Sequence, residues 1–471
     1  MISENSSVPS FGDVITRPRR TGIWLAGGIV LFVPVLVLFT NGMELAKIGG
    51  FTQAGTKSAH ISGATGADST SLHEEQAASA AAFIDSIGVQ THINYVDTPY
   101  ANWQQVLDEI VRLGVHHIRD ALPMTPTFVS NHRQLAAAGI RCTCGFTMDK
   151  KLTAEDIVQA ARTASDVDAL EAPNECDAGT NCGGGGKTGI ERVTSFLPVL
   201  ASAGHELQVP VIGPSFTTRE AYAASGTIAQ WITFNNLHVY FGGRNPGTEG
   251  WGAGDAQGHR YGSFDWWLDQ SNLNASGIPS QITETGYEAF DNPSRPGTIP
   301  VGVESAYIPR TLLLAWNHGI RRTFIYELLD EFPDNRYGLL RHDMTEKPAF
   351  TALRNLISIL NDSSRSTTLG RVKLSIESTD PSLSHTLLQK ADGTYDLILW
   401  LERSSYNSDT ETVSPVPSEP VRLQLEPKFG IAQFISFNED GSTQKNDIST
   451  KPSSLTVSVS DRLTVVHIVA H

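Results

Sequence analysis

Between residues 85 and 330, short β-branched or apolar runs alternate with amphipathic segments. The runs are 86–92, 115–119, 140–144, 167–172, 210–213, 234–240, 280–284 and 322–326, each of a length and apolarity suited to a strand covered on both faces. Between them apolar side chains recur at helical spacing, as in Trp103, Val106, Ile110 and Leu113, or Ile157, Ala160 and Ala161. Strand and helix alternating eight times predicts an α/β chain closed into a (β/α)₈ barrel, with an open doubly wound sheet as the rival. A nucleotide-binding open sheet needs G-x-G-x-x-G after its first strand, where this chain has Gly88-Val-Gln-Thr-His92. The barrel is therefore favoured.

After a last helix over 348–360 the pattern switches to period two. Segments 371–377, 385–389, 395–401, 421–425, 431–437 and 455–469 alternate apolar and polar positions, separated by turns such as 391–393 and 439–441. This predicts a small antiparallel β-sandwich whose expected role is packing against the barrel, with carbohydrate binding as the alternative. At the other end, the stretch from Gly22 to Met43 carries no charged residue, and as a helix it spans a hydrocarbon core of about 30 Å. Arg17, Arg19 and Arg20 precede it and Glu44 follows, which orients the first residues to the cytoplasm and the rest outside. A signal anchor is expected here; a cleaved signal peptide is the rival, but its apolar region is shorter and a clean A-x-A site is missing. The Gly-, Ser-, Thr- and Ala-rich residues that follow read as a linker. The expected organisation is a cytoplasmic N-terminus (1–21), transmembrane anchor (22–43), linker (44–79), barrel (80–362) and sandwich (363–471), with the folded part outside the cytoplasm, in the periplasm or at the cell exterior.

Composition narrows the partners. With 40% hydrophobic and 18% charged residues the chain reads as globular. The 50 acidic against 35 basic residues give a net charge of −15, which argues against nucleic acid and against an anionic membrane surface for the main body. Four cysteines form two close pairs. Cys142 and Cys144 sit two apart on a predicted strand, roughly 6–7 Å from each other, a poor match to a disulfide. Cys176 and Cys182 flank a turn-rich loop, and both a closed disulfide and free thiols fit that spacing. The four lack the C-x-x-C spacing of a zinc knuckle.

In a (β/α)₈ enzyme the reacting groups stand at the C-terminal ends of strands. Two carboxylates meet that condition. Glu175 follows the fourth strand in Leu170-Glu-Ala-Pro-Asn-Glu175, and Glu284 closes the seventh. Three βα units separate them, which sets them across the barrel mouth. Facing carboxylates are what glycoside hydrolysis requires, one to protonate the leaving oxygen and one to attack the anomeric carbon or activate water.

The Asn174-Glu175 pair, Glu284, Arg119 at the end of strand two and His238-x-Tyr240 on strand six together resemble the retaining (β/α)₈ glycoside hydrolases of clan A. The 88–92 run, Ile118-Arg-Asp120 and the trailing sandwich are most similar to its family 39, which includes β-xylosidases and endo-acting exopolysaccharide glycosidases. The resemblance covers roughly residues 80–471. It implies that Glu175 acts as general acid and then base, that Glu284 is the nucleophile, that Asn174 hydrogen-bonds the sugar 2-hydroxyl, and that Arg119 and Tyr240 keep Glu284 ionised and oriented. Two positions depart from the pattern: Cys176 stands where the clan usually has Pro, and Tyr326 ends the eighth strand where a Trp commonly forms the sugar platform.

Several other residues have ordinary structural roles as their rival reading. His92 is a glycone ligand or a satisfied core residue, and His238 is counted with the substrate contacts. Glu171 lies a turn deeper than Glu175 and suits a structural hydrogen-bonding role. Glu327, Asp330 and Glu331 suit substrate or loop contacts, Asp120 suits a partner for Arg119, and His116 and His117 suit structural roles. Among the aromatics after strand six, Trp251 is expected to face substrate, while Trp266 and Trp267 suit the following helix. The 183–188 run ends like a phosphate-binding loop but has Asn181 where the first Gly belongs, so no nucleotide is expected and the run reads as a flap beside Glu175. The expectation is a membrane-anchored glycosidase acting on a β-linked poly- or oligosaccharide without metal or organic cofactor. A non-catalytic polysaccharide-binding scaffold of an export system and a transglycosylase are the alternatives.

Overall fold

The computed structural model describes residues 71–146, 151–178, 181–293, 295–362 and 368–471. The expected anchor, most of the linker and the expected cytoplasmic segment lie outside them, and among the described residues no helix is long and apolar enough to cross a membrane.

Eight parallel strands form the central sheet: Ile87–Gln90, His117–Ala121, Arg141–Gly145, Val167–Glu171, Val211–Ile212, Asn235–Val239, Ser280–Thr285 and Thr323–Ile325. Each falls on a predicted run. In chain order they line up 5-4-3-2-1-8-7-6, and a parallel bridge between Ile212 and Phe234 joins the two ends, so the sheet closes as a barrel. The crossovers are helices with one buried face. Trp103–Leu113 turns Val106, Ile110 and Leu113 inward, as its periodicity requires, and ends on Gly114 at φ +85°, a left-handed C-cap suited to glycine. Ala154–Ala164 begins with a Thr153/Asp156 capping box.

The sandwich pairs a four-stranded antiparallel sheet with a six-stranded one that is antiparallel except for its edge strand Ala78–Ser79. Leu374, Val421, Leu423 and Val457 of one face Leu397, Leu399, Ile431 and Val466 of the other in a core of their own. The outer face of the larger sheet lies on the barrel, where Ile398, Trp400, Ile435 and Val465 join the barrel core. This explains why the helix Val301–Asn317 is buried nearly all round. Its Arg310, 0% exposed, is held by Glu402 and by the carbonyl of Arg403 at 3.0 Å.

Three differences from the sequence reading bear on organisation. Residues His73–Gln76 and Ala78–Ser79, given to the linker, pair with Arg371–Glu377 and Leu383–Gln389 in the two sandwich sheets. Runs so short carry no period of their own; the partner strands supply the order. The 183–188 run is not a flap, because Gly186 already opens the long helix Gly186–Leu207. The sulfurs of Cys142 and Cys144 are bonded, contrary to expectation, and so are those of Cys176 and Cys182. The Cα atoms of Cys142 and Cys144 lie 5.4 Å apart, shorter than an ideal strand repeat and inside the disulfide range.

Candidate active site

Strand register brings the first residues together. Gln90 is paired with Arg119 and Arg119 with Thr143, while a bulge in the register between strands six and seven sets His238 beside Glu284. The barrel interior beneath them is polar. Glu171, 0% exposed, accepts from both Arg119 Nε (2.7 Å) and Nη2 (2.8 Å), from Asn236 Nδ2 (3.0 Å) and from Thr283 Oγ1 (3.0 Å). A carboxylate with this many donors holds the guanidinium in one orientation.

Arg119 then presents Nη1 to Glu284 Oε1 at 2.6 Å and to Gln90 Oε1 at 2.7 Å, and Nη2 to Asn174 Oδ1 at 2.9 Å. Tyr240 donates its hydroxyl to Glu284 Oε2 at 3.0 Å. Burial alone would push the Glu284 carboxyl up; the facing His238 and Arg119, with the hydrogen bonds from Arg119 and Tyr240, outweigh it and hold the group below the usual carboxylate range.

Glu175 stands on the turn after strand four, with a φ of +43°. Its Oε1 lies 2.9 Å from Nδ1 of His238, and the same nitrogen lies 3.4 Å from Glu284 Oε2. The nearest polar atoms of Glu175, His238 and Glu284 all lie within 4.8 Å of one another. Burial lowers the proton affinity of His238, but the Glu284 charge and the hydrogen bond and charge of Glu175 win and raise its pKa. Its Nε2 faces Thr283 Oγ1 at 3.0 Å.

The wall on the strand-one and strand-eight side is aromatic. Tyr326 meets His92 edge-on at 5.9 Å and Tyr337 at 5.5 Å, and Tyr337 meets Tyr240 at 6.1 Å. His92 stacks on Tyr95 at 4.6 Å and turns Nε2 toward Glu327 (3.7 Å) and Glu331 (3.4 Å). Burial lowers His92 to about 4 despite the opposing pull of Glu284. It also pushes Glu331 up to about 7, helped by Asp97 and Asp120, and Glu327 well above the carboxylate range.

The structure thus brings Glu175, Glu284, Asn174, Arg119, His238, Tyr240, Tyr326 and His92 to one end of the barrel. Trp251 has a different role from the one expected. It is half-buried, with the Arg244 guanidinium 4.3 Å over its ring and Tyr261 5.3 Å away edge-on, so the loop's own packing takes the face expected for a sugar. Asp120 is not the partner of Arg119; it accepts from Thr91 Oγ1 (2.5 Å) and the Ile93 N–H (3.0 Å), pinning the segment that carries His92. Asp330 belongs to Lys347 at 2.9 Å. Trp266 and Trp267 are buried in their helix. Sequence reasoning missed Gln90, Asn236, Thr283 and Tyr337. The first three are polar positions buried inside parallel strands, and for Gln90 the contrast with its apolar strand is the one signal in the sequence that an interior network needs it.

Four groups of His, Cys, Asp or Glu converge among the described residues. In the Glu175–His238–Glu284 group the Arg119 guanidinium occupies the place of a cation, and in the His132–Cys142–Cys144 group the sulfurs are bonded to each other. Asp255, His259 and Asp269 have Arg219 4.0 Å from Asp255. Among the described residues His92, Glu327 and Glu331 have no Lys or Arg in an ion pair with them, and Glu327 is 0% exposed.

No protein-family model and no curated protein sequence matches the chain. Solved structures do match it in fold. A family 39 glycoside hydrolase from the gut symbiont Bacteroides cellulosilyticus WH2 is similar over 82% of this chain and 81% of its own, at 14% identity and a TM-score of 0.54. A monomeric beta-xylosidase from Caulobacter crescentus CB15 is similar over 83% of this chain and 97% of its own, at 13% identity and a TM-score of 0.53. The family 39 enzyme from Xanthomonas axonopodis pv. citri is similar over 84% and 96%, at 13% identity and a TM-score of 0.51. The fold is therefore that of the group the strand-end motifs resemble, barrel and sandwich together.

Proposed function

We propose that the chain is a retaining glycoside hydrolase that cleaves β-glycosidic bonds in a poly- or oligosaccharide by double displacement. The observation that carries this reading is the unequal pair of carboxylates at the barrel mouth. Glu284 is fixed by a guanidinium and a phenol and kept ionised, while Glu175 faces it across His238 within 4.8 Å. A gap this short suits direct attack on the sugar, since an inverting pair stands about 6.5–9.5 Å apart to admit a water.

In this mechanism Glu284 attacks the anomeric carbon as the glycosidic bond breaks, and Glu175 gives its proton to the departing oxygen. The covalent glycosyl ester is then released by water, whose proton returns to Glu175 as oxygen bonds to carbon. Asn174, with its carbonyl oxygen engaged by Arg119, has its amide N–H groups available to the sugar 2-hydroxyl. The neighbour named as a beta-xylosidase puts β-xylosides first on the assay panel, beside β-glucans, mannans and the host's exopolysaccharide. Glu284→Ala is expected to abolish hydrolysis, and a 2-deoxy-2-fluoro aryl glycoside of the accepted sugar is expected to label Glu284. Full activity in Glu284→Ala would sink the reading. Product analysis with added acceptor sugars separates hydrolysis from transglycosylation.

The same reading includes an extracytoplasmic site held to the membrane by residues 22–43, supported by the uncharged run and the arginines before it. The native protein is expected in the membrane fraction; a soluble mature form starting after residue 44 would overturn this part alone.

A further inference from the structure

Glu175 is carried by a turn and not by the barrel sheet. Its φ of +43° lies in the left-handed region, which a residue with a side chain keeps only where the surroundings impose it. Three restraints act on the next two residues. Cys176, 0% exposed, is bonded to Cys182 with their Cα atoms 5.3 Å apart. Gly189 of the following helix packs so tightly that a Cβ there would stand 1.7 Å from the carbonyl oxygen of Cys176. The Asp177 carboxylate accepts the N–H groups of Thr217 (3.0 Å) and Thr218 (3.1 Å), and its carbonyl accepts the Gly186 N–H at 2.9 Å. Gly189 and Asp177 tie the turn to neighbouring elements, whereas the disulfide is the restraint that chemistry can open.

We propose that the Cys176–Cys182 disulfide is a positioning element for Glu175, so that a thiol reductant switches off proton donation to the leaving group while leaving the nucleophile in place. The inference rests on the reading of Glu175 as acid and base. Closed, the bond holds the turn in the conformation that keeps Glu175 on His238. Opening it takes a dithiol: one thiolate attacks a protein sulfur, the mixed disulfide is displaced by the second thiolate, and two electrons and two protons end on Cys176 and Cys182 as the reagent becomes a cyclic disulfide. Glu284 stays put in either state, since its restraints come from Arg119 and Tyr240 on other strands.

The test uses the full chain as Cys176→Ser/Cys182→Ser, with Cys142→Ser/Cys144→Ser as control. One readout needs no substrate. The His238 ring faces the Glu175 and Glu284 carboxylates, the Arg119 guanidinium and the Thr283 hydroxyl, so its NMR titration reports whether Glu175 remains against it. The His238 pKa is expected to fall in the 176/182 variant and to stay in the control. The second readout compares xylobiose with 2,4-dinitrophenyl β-xyloside, whose leaving group needs no proton. Xylobiose turnover is expected to fall by at least about tenfold and that of the aryl glycoside by less than about threefold. An unchanged His238 titration overturns the proposal whatever the activity; wild-type protein inert on every glycoside counts against the proposed function and leaves the titration to decide this inference. Should the 176/182 variant fail to fold, dithiothreitol added to the 142/144 control protein opens the same bond, with the same two outcomes.

Discussion

Glu171 grips Arg119 with both carboxylate oxygens, at 2.7 and 2.8 Å, and neither residue touches the cleft surface to any extent. The pair sets the angle at which Arg119 reaches Glu284, one layer above. Glu171→Gln keeps the shape and removes the charge, leaving the guanidinium half-compensated. Breaking a buried pair in this way costs about 3–5 kcal/mol. The expected result is a lowered denaturation midpoint and a kcat reduced about tenfold with KM nearly unchanged, measured by guanidinium unfolding and steady-state kinetics. A stability loss under about 1 kcal/mol would show that Arg119 is held by its other partners.

Tyr240 offers a cleaner handle on the nucleophile, because its one hydrogen bond to Glu284 is deleted by Tyr240→Phe without changing packing. The Glu284 carboxyl is depressed in the folded protein, so it stays ionised until the pH falls through that lowered value. A hydrogen bond to a charged group contributes about 1.5–3 kcal/mol. Removing it raises the pKa, and the acid limb of kcat/KM is expected to move to higher pH by about one unit. The pH–rate profiles of the two proteins decide it; superimposable acid limbs would mean that His238 and Arg119 keep Glu284 ionised without the phenol.

These side chains differ in how far the sequence reveals them. The strands are legible because short β-branched or apolar runs recur between helical segments, and the places of Glu175 and Glu284 are legible because each carboxylate closes or follows such a run. Trp251 misleads for a physical reason. An exposed-looking tryptophan in a Gly-rich loop has no sequence signal that Arg244 will cover it, since that cation–π contact depends on the loop's closed shape. The Cys142–Cys144 bond is hidden by the assumption of an ideal strand repeat, which local contraction defeats. His73–Gln76 owes its strand state to a partner nearly three hundred residues later, beyond any local pattern.

At the aromatic end of the cleft, His92 is neutral at physiological pH and turns Nε2 to Glu327 and Glu331. Glu331, at about 7, crosses from neutral to ionised in the working range. An ionised carboxylate is the stronger acceptor for a sugar hydroxyl. KM is therefore expected to fall as the pH rises through 7, and Glu331→Gln is expected to flatten that dependence and raise KM about tenfold. Kinetics from pH 5.5 to 8.5 on the accepted glycoside test it. A pH dependence that survives in Glu331→Gln would assign the titration to another group.

Glu304 makes a prediction about stability apart from catalysis. It lies in the first turn of Val301–Asn317, is 0% exposed, and neither carboxylate oxygen has a hydrogen-bond partner among the described residues. Burial pushes it up to about 8, with Lys347 and Arg341 pulling the other way and Asp330 adding to the rise. In the unfolded chain the same group titrates near the ordinary carboxylate value of about 4.3. Between the two values the folded protein binds a proton that the unfolded chain has released, so stability declines as the pH rises across that window. The favourable contribution is complete at the acidic end and gone above about pH 8; at about 1.4 kcal/mol per unit it amounts to on the order of 5 kcal/mol. Glu304→Gln cannot ionise and removes this slope. The variant is expected to match the wild type near pH 5 and to exceed it near pH 9, with the difference between the two unfolding free energies rising steadily in between. Parallel curves across the range would show that Glu304 is ionised in the fold, with Lys347 and Arg341 supplying the compensation.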